Sequence, residues 1–248
     1  MQTLVPDDVT LWVADADLAK LPRDVRELER FGLRIRTCRD LRSYKKIIPA
    51  LEEDPESIWV TCDDDCYYAP RWLETLVRSW NPEAREIVAH RVRRIGLTES
   101  GPACSYGDWP VVWEGTSAHP LYLSIGVGGV LYPPKCFAPE VLDESLFRRL
   151  CPLADDVWLW WMIRRNDYIV RKASGRWRQI LWDGSQNTAL HLLNVDGSGN
   201  DLAVRNLTEH FGFPDALSAG PAPVNVNGVA AVRTQTRSSN GECCAAGQ

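Results

Sequence analysis

A basic excess, long apolar runs and paired metal-binding cysteines are all missing from this chain of 248 residues. Its 28 Lys and Arg are outnumbered by 33 Asp and Glu, a formal net charge of −5. No basic face able to hold a phosphate backbone is expected, so nucleic acid is excluded as a partner. Small anionic ligands stay open, given a local cationic patch or a bound metal to offset carboxylates. No run approaches the roughly 18 consecutive apolar residues of a membrane span, and the opening MQTLVPDDVT lacks the charged and apolar regions of a signal peptide. The expected setting is the cytoplasm, with peripheral membrane association left open. The eight cysteines include no CxxC pair with a matching second half: Cys62 and Cys66 flank an acidic triplet, and Cys243 and Cys244 lie near the end. A structural zinc site is therefore not expected, and the cysteines read as mostly free thiols in a reducing compartment.

The length and mixed composition suit one large α/β domain with a substantial apolar core. VTLWVA (Val9 to Ala14) is rich in strand formers, and Val25, Leu28 and Phe31 then recur at helical spacing between Asp24 and Phe31. Leu33 to Thr37 reads as a second strand after the turn at Gly32, and Ser43 to Glu53 as a helical connection broken near Pro49. IWVTC (Ile58 to Cys62) is a buried strand that runs directly into Asp63, Asp64 and Asp65. Pro70 suits the start of the next helix, whose apolar stripe is Trp72, Leu73, Leu76, Val77 and Trp80. EIVAHRVRRI reads as one strand, Thr98 to His119 as a long loop, and Leu123 to Pro134 as a Gly-rich turn leading into a short strand. Helices are expected over Glu140 to Leu150, Asp155 to Arg165 and Asp201 to Phe211; beyond Pro214 few large side chains remain, and disorder is expected over residues 213–248. Alternating strands and helices predict a mostly parallel sheet flanked by helices, with ligands beyond the carboxyl ends of its strands, where the acidic triplet falls.

Three consecutive aspartates repel one another, and one way to hold them is to share Mg²⁺ or Mn²⁺ with the oxygens of a diphosphate. The alternative is a solvated acidic turn that caps the following helix. The same choice applies to Asp155 and Asp156, which stand at the start of a helix and either cap it or do chemistry. Lys45 and Lys46 are either phosphate-neutralising or an ordinary solvated pair. Eleven tryptophans are many for this length, and Trp72, Trp109, Trp113 and Trp158 lie beside polar or acidic motifs, where an indole could meet a sugar face or simply fill the core. The Gly126-Val127-Gly128-Gly129 turn has no GxGxxG register and is not a dinucleotide loop; its glycines permit close approach of backbone to ligand.

IWVTCDDDCYYAPRWLETL resembles the DXD region of bacterial family-two-like glycosyltransferases with the GT-A fold, with its pattern of strand, T-x-D-D-D, x-x-Y-x-P and x-W-L. SYKKIIPAL, AHR (Ala89 to Arg91), Tyr106 with Trp109, GVGGVLYPP, CPLADDVWL and NVDGSGND follow in the same order as in that group, so the resemblance spans roughly Val9 to Leu207. It implies a single GT-A-like (Rossmann-like) domain over residues 1–212. It further implies metal-dependent transfer of a sugar, hexosyl-like, from a nucleoside diphosphate sugar to a glycan acceptor, with inversion inherited from the group, in polysaccharide biosynthesis. On that resemblance Asp65 and Asp63 are the Mn²⁺ or Mg²⁺ ligands, and Asp63, Asp64, Lys45, Lys46, Gly128 and Gly129 bind the donor. Asp156, with Asp155 beside it, is the catalytic base, while Trp109 and Trp158 bind the acceptor. A late histidine, His191, is a weaker metal candidate than Asn200 and Asp201. Related chains usually begin with a further strand and helix that contact the base, so the resemblance implies that this βα unit is missing here. Two rivals stay in view: a non-catalytic carbohydrate-binding or scaffold protein derived from a transferase, and a sugar nucleotidyltransferase, which would want a Gly-rich, cationic phosphate loop near its start.

Overall fold

The computed structural model describes residues 2–98, 101–102, 105–182 and 199–214. Strands β1 (Val9–Ala14) and β2 (Leu33–Cys38) form a separate parallel pair, with Val9 opposite Leu33. Parallel pairing requires a crossover, supplied here by α1 (Arg23–Glu27), which tightens into a 3₁₀ turn over Leu28–Phe31. Gly32 ends it with φ of 98°, the left-handed geometry of a helix stop. A 3₁₀ turn, Arg42–Lys46, leads to α2 (Ile48–Glu53). Pro49 lies in the first turn of α2, where its missing N–H has no partner to lose, so it opens this helix instead of breaking it.

The remaining elements in chain order are β3 (Trp59–Thr61), α3 (Trp72–Ser79), β4 (Glu86–Ala89), β5 (Val92–Arg94), β6 (Leu97–Thr98), β7 (Gly101–Pro102), β8 (Ala118–His119), β9 (Tyr122–Ser124), β10 (Val130–Tyr132), α4 (Glu144–Leu150), α5 (Asp155–Arg164), β11 (Ile169–Lys172) and α6 (Gly199–Phe211). The central sheet has the order β3-β10-β4-β11-β8. Strand β10 is antiparallel to both β3 and β4, β8 is antiparallel to β11, and only β4 and β11 pair in parallel. The protein is thus mixed α/β, and the mostly parallel sheet expected from the sequence is corrected. The reason lies in the connections. Among the described residues between β4 and β10 there are short strands and 3₁₀ turns but no crossover helix, so β10 returns antiparallel.

EIVAHRVRRI is not one strand: it breaks at His90 and Arg91, leaving β4 in the central sheet and sending β5 to pair with β9. Strand β11, which the sequence reading left unassigned, supplies the parallel neighbour of β4, with Val170 opposite Ile87.

Alternation along the strands divides the core into two layers. Ile87, Ala89, Val130 and Val170 point into the larger cluster with α5, while Val88 and Leu131 meet Trp72, Leu73 and Leu76 of α3. Helices therefore flank both faces. From Val157 onward every residue of α5 is buried, and Trp158, Trp160 and Trp161 are among the largest fully enclosed side chains. A helix apolar all round is a core helix, and this one anchors Asp155 and Asp156 rigidly at its half-buried start. No helix among the described residues is long and apolar enough to cross a membrane.

Candidate active site

Strand β3 ends at Thr61 and delivers Cys62 and the three aspartates to the rim of the sheet. Arg71 holds the cap position of α3 without a side-chain hydrogen bond, so the triplet does not serve as that cap. Asp63 turns instead toward Lys46, whose Nζ lies 2.6 Å from Asp63 Oδ1. The backbone N–H of Asp63 donates to the Tyr68 hydroxyl at 2.9 Å, and that hydroxyl donates to the Val127 carbonyl at 2.9 Å. One tyrosine thus ties the acidic loop to the glycine turn. Asp64 is exposed. Asp65 is half-buried: its carboxylate accepts from the Cys66 thiol at 3.5 Å, and its carbonyl accepts from the Trp182 N–H at 2.9 Å.

The second acidic pair arrives at the same place from α5. Ala154 occupies the cap position without a side-chain hydrogen bond, and both carboxylate oxygens of Asp156 accept the Gly126 N–H, at 3.0 and 3.1 Å. Gly126 packs directly on the acid: a Cβ there would lie 2.9 Å from Asp156 Oδ1, displacing that carboxylate, and 3.6 Å from Lys46 Nζ. Gly128 and Gly129 are more tightly confined. A Cβ on Gly128 would stand 2.6 Å from Arg91 Cβ, and one on Gly129, at φ of 93°, would stand 2.2 Å from the Trp72 ring, whose Nε1 donates to the Gly128 carbonyl at 2.7 Å.

Electrostatics follow from this packing. Burial, and then the charge of Asp155, raise the Asp156 carboxyl to about 7, against the opposing pull of Lys46 and the Gly126 N–H. Burial disfavours the Lys46 ammonium, but Asp155, Asp63 and Asp156 together outweigh it and hold the lysine firmly protonated. Lys46 therefore serves three carboxylates, with Arg91 adding its charge to Asp156, and a proton on Asp156 relieves what these cations do not offset.

The structure brings Asp63, Lys46, Asp155, Asp156 and the glycine turn together. It separates Lys45, whose charge acts on Asp17 and Cys38 at the β1–β2 end. The acceptor-stacking expectation for two tryptophans is corrected: Trp158 is 0% exposed, with its Nε1 donating to the Val141 carbonyl, and Trp109 is 3% exposed beneath Tyr106. An enclosed indole has no face to offer a sugar. Asp201 is a latch, its carboxylate accepting from Ser105 Oγ at 2.7 Å and the Tyr106 N–H at 2.6 Å, while Asn200 is buried in α6. His191 and the expected tail from 215 onward lie outside the described residues.

Among the described residues no group of three His, Cys, Asp or Glu side chains converges to hold a metal ion alone. Tyr68 is the site residue to which the sequence assigns no role, although it is the Tyr of the x-x-Y-x-P pattern, five residues after Asp63. Comparison with protein-family models and with curated proteins finds no match to this chain.

Proposed function

We propose that this protein is a GT-A-like glycosyltransferase that moves a sugar from a nucleoside diphosphate sugar to a glycan acceptor, with inversion, in cytoplasmic assembly of a polysaccharide. The observation that carries the reading is the meeting of Asp63 and Asp156 on Lys46 at the Gly126 turn. A donor sugar seated there would place its anomeric carbon beside a carboxylate held near 7, a value suited to taking a proton from an acceptor hydroxyl at neutral pH. The Gly126 N–H fixes that carboxylate, and the buried tryptophans of α5 fix the helix that carries it. Lys46 offers its charge to a diphosphate oxygen as well as to Asp63.

Mn²⁺ or Mg²⁺ fits the donor chemistry, since such ions are commonly held by one or two carboxylates with substrate phosphates completing the shell. Asp65 and the second oxygen of Asp63 would hold the ion, and when bound it would offset the charge of the departing diphosphate. The second reading, a non-catalytic carbohydrate-binding protein, is favoured by the Lys46–Asp63 ion pair, which already satisfies part of that ligand set. Titration calorimetry with a panel of nucleoside diphosphates decides between them. Binding that requires Mn²⁺ and disappears in Asp65→Ala supports the transferase; no binding with or without Mn²⁺ rejects it.

A further inference from the structure

Around Arg91, against which Gly128 packs, lies an open cleft of about 90 Å³. Six of its lining residues carry the argument: His90, Arg91, Trp113, Lys172, Trp177 and Gln179. It exists because β4 and β5 part at His90 and Arg91 while β11 brings Lys172 alongside.

Two of these residues are cations, and neither forms an ion pair with a described carboxylate. Lys172 is 1% exposed, and its charge is disfavoured by burial alone. Its ammonium donates to the carbonyls of Ala173, at 2.7 Å, and Gly175, at 2.8 Å, which leaves one of its three protons without a protein acceptor among these bonds. Arg91 donates one Nη1 bond to Gln179 Oε1 at 2.6 Å, leaving most of its five donors free of described partners. Its charge is disfavoured by burial and by Arg93, and only partly favoured by Asp156, with which it makes no ion pair. His90 adds no positive charge, since burial pulls its pKa down to about 4, and its Nε2 is engaged with the Trp72 carbonyl at 2.9 Å. The titratable groups lining the cleft are thus two cations, Lys172 with no carboxylate acting on it and Arg91 only partly offset by Asp156, and a neutral imidazole.

The walls supply flat apolar surface. Trp113 is 55% exposed, and Trp177 stacks on Tyr68 with ring centroids 6.3 Å apart. Tyr68 is the residue that bridges the Asp63 loop to the glycine turn, so the Trp177 wall of the cleft backs onto the residue that holds the acidic loop.

We infer that this cleft binds an anionic sugar, with its carboxylate or phosphate on Arg91 and Lys172 and its ring against Trp113. Resting on the transferase reading, it would be the acceptor subsite and would select an acidic glycan. Guanidinium and ammonium groups bind such anions through charge-assisted hydrogen bonds, and sugar rings present C–H faces to indoles.

The test uses the full chain and sugars alone, without nucleotide or metal. Calorimetric titration with glucuronate, glucose 6-phosphate and glucose is expected to show binding of one or both acids and at least roughly tenfold weaker binding of glucose. The acid that binds identifies the anionic group. Arg91→Gln and the solvent-side variant Trp113→Ala should each weaken acid binding by roughly tenfold with the thermal midpoint of Trp113→Ala unchanged. Equal binding of glucose and the acids, binding of none of the three, or acid binding indifferent to both variants overturns the inference. Acid binding in a protein that binds no nucleoside diphosphate leaves the anionic-sugar cleft standing and removes only its role as an acceptor subsite.

Discussion

Lys46 and Asp156 belong to segments more than a hundred residues apart, yet a single methyl group placed on Gly126 would touch Asp156 and stand 3.6 Å from the lysine ammonium. Lys46 lowers the pKa of Asp156, and Asp156 helps keep Lys46 charged. The base of the proposed reaction is therefore tuned by a residue of a different element, the 3₁₀ turn before α2.

Replacing Lys46 with Met leaves Asp63, Asp155 and Asp156 without their shared cation. Asp156 should then titrate higher than in the native protein, and the midpoint of the pH–rate profile should move upward. Mutual repulsion of the carboxylates should cost about 1–3 kcal/mol of stability at pH 8 and less at pH 5, where Asp156 is protonated. Urea denaturation at the two pH values measures this, and Lys46→Arg should recover most of the loss. Equal destabilisation at both pH values would show that the lysine acts through packing alone.

Asp156→Asn should abolish sugar transfer while metal-dependent nucleotide binding stays within error. In the native protein transfer should rise as pH increases through about 7, because the base must be ionised. The stability effect has the opposite sign. With its folded value raised from 3.8 to about 7, Asp156 keeps a proton that the unfolded chain has lost, so its contribution to stability falls as pH rises through that window. The Asn variant lacks this slope and should melt roughly 3 °C higher than the native protein at pH 8, with no such gain near pH 4. Calorimetric scans across pH report the difference; a lower melting point at pH 8 would contradict the assigned burial of this charge.

The two ends of the glycine turn should respond differently to alanine. In Gly129→Ala the new methyl meets the buried Trp72 ring at a backbone angle hostile to side chains, so the fold should lose about 3 kcal/mol. Gly126→Ala presses on the carboxylate end of Asp156, which can shift by a few tenths of an ångström. Its stability loss should be under about 1.5 kcal/mol, but transfer should fall by about tenfold or more as the base is displaced. Parallel measurement of kcat and of unfolding midpoints separates the two outcomes.

Local signals in the chain were sufficient to locate much of the architecture. The strand formers of Val9 to Ala14, the stripe on α3, the helices of 155–165 and 201–211 and the glycine turn were all legible, because periodicity and turn chemistry act over a few residues. Legible too was that both acidic clusters stand where an element begins or ends. What a window of sequence does not contain is the partner across space. The antiparallel entry of β10, the break at His90 and the strand β11 depend on which edges are free to pair, and the enclosure of Trp109 and Trp158 depends on what packs above them.

From its residue order alone the chain determines that carboxylates leave a strand at Asp63 and head a helix at Asp155. Only the tertiary structure decides that Lys46 and not Lys45 joins them, that Asp156 is pushed toward neutrality, and that Arg91 and Lys172 face one cleft. The physical reason is that desolvation and charge coupling are set by distance through space, which folding assigns and chain position does not.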